Sequence, residues 1–441
     1  MSIKVLAMII SMLACIQLVS NASTSTDENS VLGPTKHKDA QWFPKAGLGL
    51  FMHWGIHSVD GIQPSWAMIK NYPASDPADY HTVPDYYALA KKFNPQNYDP
   101  DKWIAAAKKA GFTYAVLTSK HHDGYALWPT KYGDMSTKQY MGGRDLLKPY
   151  VDACRKYGMK VGFYFSPTDW HYPNYPVGDV DFDYNNRGKY HEVDPVVNQK
   201  RFDEFYAYTM GQIEELLTRY GKIDILWFDG MGWNGINDIH TKETYTRIRK
   251  LQPGIITNNR WSGEAGDYGT PECNLPGQRP SGWWEACFTW NGHWGYNPTR
   301  KFESNAWVLQ TLITCRKWGG NLLLNCGPAP DGTMPAGFYE RCDELAVWMK
   351  HSKSSIIGAG PTPGDDLSNV PLTTSRNVWY LHVQPEFKGS SVLVTDQRTP
   401  RHINVMRTKL ELPYTKDNGQ IKIDITEMER TSLDDVIVVS W

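Results

Sequence analysis

An aspartate stands where an apolar run ends: Ile225-Leu226-Trp227-Phe228 leads into Asp229 and then Gly230. Four consecutive apolar residues read as a strand buried on both faces, so Asp229 is carried rigidly at its end. The arrangement recurs along the chain. Leu48 to His53 leads into His53-Trp54, and Tyr114 to Ser119 into Lys120-His121-His122-Asp123. Lys160 to Phe165 leads into Ser166 and Asp169-Trp170, and Gly254 to Asn258 into Asn259-Arg260-Trp261. Any strand leaves a core through polar residues, so one such end is ordinary. Five in register point to a shared mouth. Asp229 is the leading nucleophile candidate there, with Gly230 leaving room for a substrate.

A second group of chemistry-bearing residues lies between Asp267 and Tyr296, among Trp283, Trp284, Trp290 and Trp294. It holds Glu272, in Thr270-Pro271-Glu272, and Glu285, in Trp284-Glu285. A carboxyl among aromatic rings is desolvated, which raises its pKa and suits a general acid. Either glutamate with Asp229 would make the carboxylate pair of a glycosidase, roughly 5–5.5 Å apart for retention and roughly 6.5–9.5 Å for inversion. His121 and His122 are adjacent in an extended segment, where neighbouring side chains point to opposite sides. They are therefore read as hydrogen-bond partners for ligand hydroxyls, and no metal site is expected. No G-x-S-x-G elbow and no phosphate-binding loop occurs, which argues against serine hydrolysis and phosphoryl chemistry.

These ends need a scaffold. Further strand candidates are Cys287 to Trp290 and Leu322 to Asn325. Helical stretches fall between the strands: Asp101 to Ala110, Arg144 to Tyr157, Asn198 to Tyr220, Lys242 to Leu251, Ser304 to Trp318 and Pro335 to His351. The first opens with Asp99-Pro100-Asp101, an acidic cap and an early proline, and Gly111 closes it. Alternating strands and helices predict an α/β fold, an irregular (β/α)8-type barrel, because residues 259–300 read as loop and strand. An open doubly wound sheet would need a glycine-rich phosphate loop after an early strand, and none is present. Beyond residue 352 the texture changes. Val378 to Val383, Ser391 to Val394, Ile403 to Met406, Gly419 to Ile425 and Asp435 to Trp441 read as short strands of an antiparallel β-sandwich. Its expected role is to brace the barrel; no aromatic cluster recommends it as a carbohydrate-binding module. The expected organisation is a signal peptide over 1–22, a polar tail over 23–38, the barrel over 39–352 and the sandwich over 353–441.

Composition narrows the function. With 46 basic and 47 acidic residues in 441, the chain lacks the basic footprint of a nucleic-acid binder or an electrostatic membrane binder. Eighteen Trp and 25 Tyr supply ring faces that match the C–H face of a sugar and polar edges for its hydroxyls. The apolar run from Val5 to Val19 followed by Ser20-Asn21-Ala22 predicts a cleaved leader, hence export, in preference to lipid attachment at Cys15. No later run reaches the length of a membrane span. Six cysteines remain, without a C-x-x-C pair, so zinc is not expected, and free thiols and disulfides are both compatible with their spacing.

Four ordered motifs match one family. Phe51-Met52-His53-Trp54-Gly55, Lys120-His121-His122-Asp123-Gly124-Tyr125, Trp227-Phe228-Asp229-Gly230 and Gly320-Asn321-Leu322-Leu323-Leu324-Asn325-Cys326-Gly327-Pro328 resemble the α-L-fucosidases of glycoside hydrolase family 29, from about residue 40 to 350. The resemblance implies a barrel with a β-sandwich, retaining hydrolysis of terminal α-L-fucose from glycans, and neither cofactor nor metal. It implies Asp229 as nucleophile, with Arg260 helping to keep it ionised. His53, Trp66, His121, His122, Tyr164 and Arg260 match fucose-pocket positions. Glu272 matches the segment that carries the general acid/base, with Glu285 as the second choice. Family members often have a glutamate before the pocket tryptophan; here Ser65 precedes Trp66. The competing expectations are a catalytically silent fucose-binding protein and a retaining glycosidase for a related sugar.

Overall fold

The computed structural model describes residues 31–73, 75–173, 175–176, 182–186, 194–230 and 236–441. The expected leader with Cys15, and the first part of the polar tail, lie outside the described residues. Eight parallel strands form one sheet: β1 (Leu48–Met52), β2 (Tyr114–Lys120), β3 (Lys160–Phe165), β4 (Ile225–Phe228), β5 (Ile256–Thr257), β6 (Tyr268–Gly269), β7 (Trp283–Thr289) and β8 (Asn321–Asn325). Their order is β5-β4-β3-β2-β1-β8-β7-β6, so chain neighbours are spatial neighbours and only the β5 and β6 edges need joining. They meet at a single parallel bridge, Asn258 to Tyr268, where Asn259 N–H donates to the Tyr268 carbonyl at 3.1 Å. This completes an irregular barrel and covers both edges.

The period of two sorts each strand's side chains. Phe51, Tyr114, Val116, Tyr164, Ile225, Trp227, Ile256, Tyr268, Cys287 and Leu323 form one buried cluster within the ring. Their alternates, among them Leu50, Ala115, Leu117, Phe163, Leu226, Phe228, Leu322 and Leu324, join the layer packed under the helices. Both faces of the strands are thus dry, which is why they read as continuous apolar runs.

Helices Pro100–Lys109, Leu147–Lys156, Pro195–Arg219, Thr241–Leu251, Asn305–Lys317 and Ala336–Ser352 lie close to the expected spans. Asp194 caps the long one, accepting from Val196 N–H at 2.8 Å, and Ser304 caps another, accepting from Trp307 N–H at 3.2 Å. Asp99 does not cap as expected; it precedes Pro100 at the first turn but its carboxylate pairs with Lys102 at 3.3 Å instead. Seven strands were legible. β6 has two residues and no apolar run to announce it. β7 starts four residues before the expected Cys287, because Trp283-Trp284-Glu285 enters the sheet as strand.

The C-terminal part holds two antiparallel sheets. One has β9 (Leu372–Ser375), β10 (Val378–Val383), β12 (His402–Val405) and β15 (Asp435–Ser440); the other has β11 (Ser391–Thr395), β13 (Tyr414–Asp417) and β14 (Gln420–Asp424). Their facing residues form a separate core that includes Leu381, Val392, Ile421 and Ile437. Tyr380, Met406 and Val436 turn the other way and belong to the barrel's core. Trp348 Nε1–H donates to the Asp434 carbonyl at 2.6 Å across the same boundary. An aromatic cluster does exist in this part, against expectation. Trp379 and Trp441 meet edge to face at 5.0 Å with Arg398 over the Trp441 ring at 4.2 Å, but both indoles are buried. All six described cysteines are free thiols, and Cys273 alone among them is exposed.

Asp267 organises the barrel's closure. It accepts from Arg249 Nη2 at 2.8 Å, from Thr257 N–H at 2.7 Å and from Thr35 N–H at 2.7 Å. Removing one member of a buried ion pair leaves the other uncompensated. Asp267→Ala is expected to lower unfolding stability by about 3–5 kcal/mol in urea titration. A loss below about 1 kcal/mol would show that the closure does not depend on this carboxylate.

Candidate active site

Asp229 leaves β4 at the C-terminal end of the barrel. Asn258 takes over where the short β5 stops: its Oδ1 accepts from Phe228 N–H at 3.0 Å and its Nδ2 donates to Phe228 O at 2.8 Å. The side-chain amide thus extends the β4 ladder by one residue and fixes the peptide before Asp229. Gly230 serves a different purpose from the expected one. It sits at φ +93°, and a Cβ there would lie 2.4 Å from Thr168 Oγ1, so glycine permits the turn and the close packing of Thr168.

Arg260, just past β5, reaches across to two carboxylates. Its Nη1 donates to Asp229 Oδ1 at 2.8 Å and its Nη2 lies 2.8 Å from Glu272 Oε2. Nε donates to Thr270 Oγ1 at 2.8 Å and Nη2 to the Thr270 carbonyl at 3.1 Å, while Cζ lies 4.6 Å over the Trp227 ring. Its nitrogens are therefore engaged by protein, and Arg260 joins the two acids. Glu272 is delivered by a one-residue pairing with β7: Cys273 N–H donates to Cys287 O at 2.8 Å, and Cys287 N–H to Pro271 O at 3.0 Å. The Glu272 side chain is 43% exposed and that of Asp229 20%, so both face the opening.

Tyr164, on β3, donates from its hydroxyl to Asp229 Oδ2 at 2.7 Å. It is fully buried, so it orients the carboxylate; the expectation that it lines the pocket is corrected. Burial alone would raise the Asp229 pKa. The Arg260 charge, His122 and the Tyr164 hydroxyl outweigh that, and the carboxyl is held below its ordinary range. Asp229 in return helps raise Arg260, whose burial acts the other way.

Three histidines ring the carboxylate. His122 has Nδ1 2.6 Å from Ser166 Oγ and Nε2 3.7 Å from Asp229 Oδ2. His121 has Nδ1 2.6 Å from Ser65 Oγ, and its ring stacks on Tyr164 at 5.4 Å and 2°. The two imidazole rings are 4.2 Å apart, so they do not diverge as an extended segment would require. The register slips between Thr118 and Lys120, and both histidines lie beyond the strand's end, where alternation no longer holds. His53 follows β1 with Nδ1 2.8 Å from Asn325 Oδ1, and burial pushes its pKa down to about 4. Trp66 stands at the rim, stacked on Tyr72 at 4.6 Å and edge-on to His122 and Trp170, each at 5.4 Å.

Other strand-end residues serve the scaffold. Lys120 and Asp169 form a buried pair at 3.0 Å, and Asp123 accepts from the Tyr86 hydroxyl at 2.7 Å. Glu285 was expected at the pocket as a ligand contact or second acid/base. It is instead 0% exposed inside the barrel, with its oxygens held by the Tyr114 hydroxyl and by Trp227 Nε1–H at 3.0 Å. No oxygen is presented to the mouth. Thr270 and Asn325 were missed as site residues, and Ser166 was read at its strand's end without a role. Asn325 alone had a signal, since it ends an apolar strand as Asp229 does. His121, His122 and Asp229 place one ligand atom each within 4.8 Å of one another, but Asp229 already carries Arg260 and Tyr164.

Two carboxylates at one barrel mouth, one partly exposed and held ionised and the other half-exposed, with imidazoles and indoles around them, are the parts of a two-carboxylate glycoside hydrolase. The chain belongs to the alpha-L-fucosidase family, whose model matches residues 14–354. It is similar to the tissue alpha-L-fucosidase of Bos taurus, with 26% identity over 360 residues, 76% of this chain and 73% of that one. Among solved structures it resembles alpha-L-fucosidase isoenzyme 1 from Paenibacillus thiaminolyticus, with a TM-score of 0.79 and 30% identity over 91% of this chain and 98% of that one. The Thermotoga maritima alpha-fucosidase, solved with a mechanism based inhibitor, matches with a TM-score of 0.74 and 26% identity over 92% of this chain and 97% of that one.

The buried Glu285 carries a pH signature. Burial raises its pKa to about 7, against the lowering hydrogen bonds of Tyr114 and Trp227. Between the unfolded carboxyl's value and pH 7 the folded state binds more protons, so stability falls as pH rises through that window and levels off above it. Glu285→Gln keeps a neutral side chain at every pH. Its stability relative to the parent is expected to rise by on the order of 3 kcal/mol from pH 4 to pH 7.5. Equal pH dependence of the two proteins in chemical denaturation would refute this placement.

Proposed function

We propose that the chain is a retaining exo-α-L-fucosidase in which Asp229 is the nucleophile and Glu272 the general acid/base. The observation that carries the assignment is the shared guanidinium: one Arg260 holds Asp229 Oδ1 and Glu272 Oε2, each at 2.8 Å. Asp229, kept ionised, attacks the anomeric carbon as the bond to the glycosidic oxygen breaks, and Glu272 gives that oxygen its proton. The fucosyl ester on Asp229 no longer carries charge. Arg260 then faces Glu272 alone, which favours the ionised glutamate that takes a proton from water as the water's oxygen attacks the same carbon. Fucose leaves, and both carboxyls return to their starting states.

Glu272 must come off Arg260 and take up a proton from solvent before it can give one to the glycosidic oxygen, and its half-exposed side chain permits that movement on aglycone binding. The three histidines supply hydrogen-bond groups for hydroxyls, and Trp66 and Trp294 offer apolar faces for the sugar's methyl and C–H groups. A fucosylated glycan is the substrate this pocket fits. A binding protein would have no use for two acids on one guanidinium, which favours the enzyme over the silent reading. Among the described residues no helix is long and apolar enough to cross a membrane. Export rests on the N-terminal segment alone.

Asp229→Ala is expected to lower kcat for an aryl α-L-fucoside by on the order of 10³ or more. Azide should restore turnover in Glu272→Ala with an α-configured fucosyl azide, because two displacements retain configuration; in Asp229→Ala it should give the β-azide. Nuclear magnetic resonance of the first product released by the parent enzyme should show α-fucose. Initial β-fucose, or near-parental turnover by Asp229→Ala, would reject the mechanism.

A further inference from the structure

The segment that carries Glu272 keeps the register of β6 against β7 across a gap. Tyr268 pairs with Trp283, Gly269 with Trp284 and Glu272 with Cys287, the same offset each time. Thr270 and Pro271 therefore continue the line of β6. The ladder lapses between them because the next parallel pairing needs an N–H from Pro271, which has none. Side chains two residues apart on an extended line share a face. Thr270 and Glu272 are two apart, and both meet Arg260.

Arg260 donates from Nε to Thr270 Oγ1 at 2.8 Å and from Nη2 to the Thr270 carbonyl at 3.1 Å. A guanidinium has donors only, so both directions are fixed. Its remaining partners are the acids, Asp229 Oδ1 on Nη1 and Glu272 Oε2 on Nη2, each at 2.8 Å. One bond to a planar fork leaves it a pivot, whereas two bonds to one residue set its orientation.

Nη2 thus serves Glu272 and the Thr270 carbonyl together. When Glu272 swings away to collect its proton, that nitrogen keeps a partner, and the Nε bond is untouched. Without the threonine hydroxyl the fork could turn about the carbonyl bond and follow the moving carboxylate. Asp229 would then lose its cation as it is about to attack.

We propose that Thr270 is a positioning residue that anchors the Arg260 fork while Glu272 comes and goes, so that Asp229 keeps its counter-charge through both displacements. The two displacements rest on the fucosidase reading; the anchoring does not.

Thr270→Val removes the hydroxyl and leaves the carbonyl, Thr270→Ala makes the same deletion with less bulk, and Thr270→Ser keeps both acceptors. Around Asp229 stand Arg260, Glu272, Tyr164, His53, His121 and His122, and Thr270 acts on it through Arg260. Asp229 must be ionised to attack, so kcat/KM falls as pH drops through its pKa. An Arg260 that has turned away lets that pKa rise. In the two deletions the acid limb of kcat/KM for an aryl α-L-fucoside is expected about one pH unit higher than in the parent. Their kcat should be lower by on the order of 10²-fold. Thr270→Ser is expected to match the parent. Loss of stability alone would lower activity without moving the limb. The second readout is hydrogen exchange at Arg260 Nε–H, by ¹H–¹⁵N correlation on arginine-labelled protein without substrate, assigned by its loss in Arg260→Lys. Exchange is expected to be slow in the parent and in Glu272→Ala, where Thr270 still holds the fork, and about tenfold faster in the deletions. An unmoved acid limb in both deletions, or exchange there as slow as in the parent, would overturn the proposal. So would exchange in Glu272→Ala as fast as in the deletions, which would make Glu272 the anchor. If the parent turns over no fucoside, the functional reading fails while the exchange experiment still decides the anchoring.

Discussion

A single guanidinium sets what this site can do. Arg260 presents its donors in a rigid plane, and Thr270 occupies two of them, so the fork cannot turn. The remaining edge meets Asp229 on one nitrogen and Glu272 on the other. Lysine, a single point charge on a flexible stem, could pair with one acid or the other but would not hold both at a set separation. The same guanidinium lies on Trp227, Trp227 stacks on Tyr164 at 5.6 Å and 15°, and Tyr164 stacks on His121. A continuous pile of planar groups therefore runs from the acid pair to the His121 imidazole. Displacement of any layer would move both ends of the site.

Two carboxyls near that pile are shifted in opposite directions by their surroundings. Asp229 has a cation and a phenol within hydrogen-bond distance and stays ionised despite its burial. Glu285 has two neutral donors and a deeper position, and burial prevails. Glu272 stands half in solvent, where a leaving oxygen or a water molecule can reach it.

The barrel is least regular where these groups emerge. β5 and β6 have two residues each and meet through one bridge, with Asp267 and Arg249 tying the seam from behind. Arg260 and Thr270 follow those two short strands, and Glu272 lies two residues further on. Long, fully paired strands there would bury the segment from 259 to 272 in the sheet and leave no loop to carry Arg260 and Glu272. The cost of this opening is borne elsewhere, by the fully paired β1, β2, β3, β7 and β8 and by the sandwich residues Tyr380, Met406 and Val436 that complete the barrel's core.

Local pattern carried much of this. A strand buried on both faces must be a continuous apolar run, and such runs located seven of the eight barrel strands and placed His53, His121, His122, Asp229 and Arg260 at their ends. Period and turn residues likewise showed the six long helices and five of the seven sandwich strands. β6 escaped because two residues have no period. Contacts between distant segments left no mark in the sequence. Nothing local says that Tyr164 meets Asp229 across 65 positions, or that Glu285 turns inward to Tyr114 while Glu272 turns outward to Arg260. Both glutamates lie among aromatic residues, and only the pairing of β7 with its neighbours decides which faces water. Strand character is written in neighbouring residues, whereas the direction of a charge depends on which remote donors the closed ring brings to it.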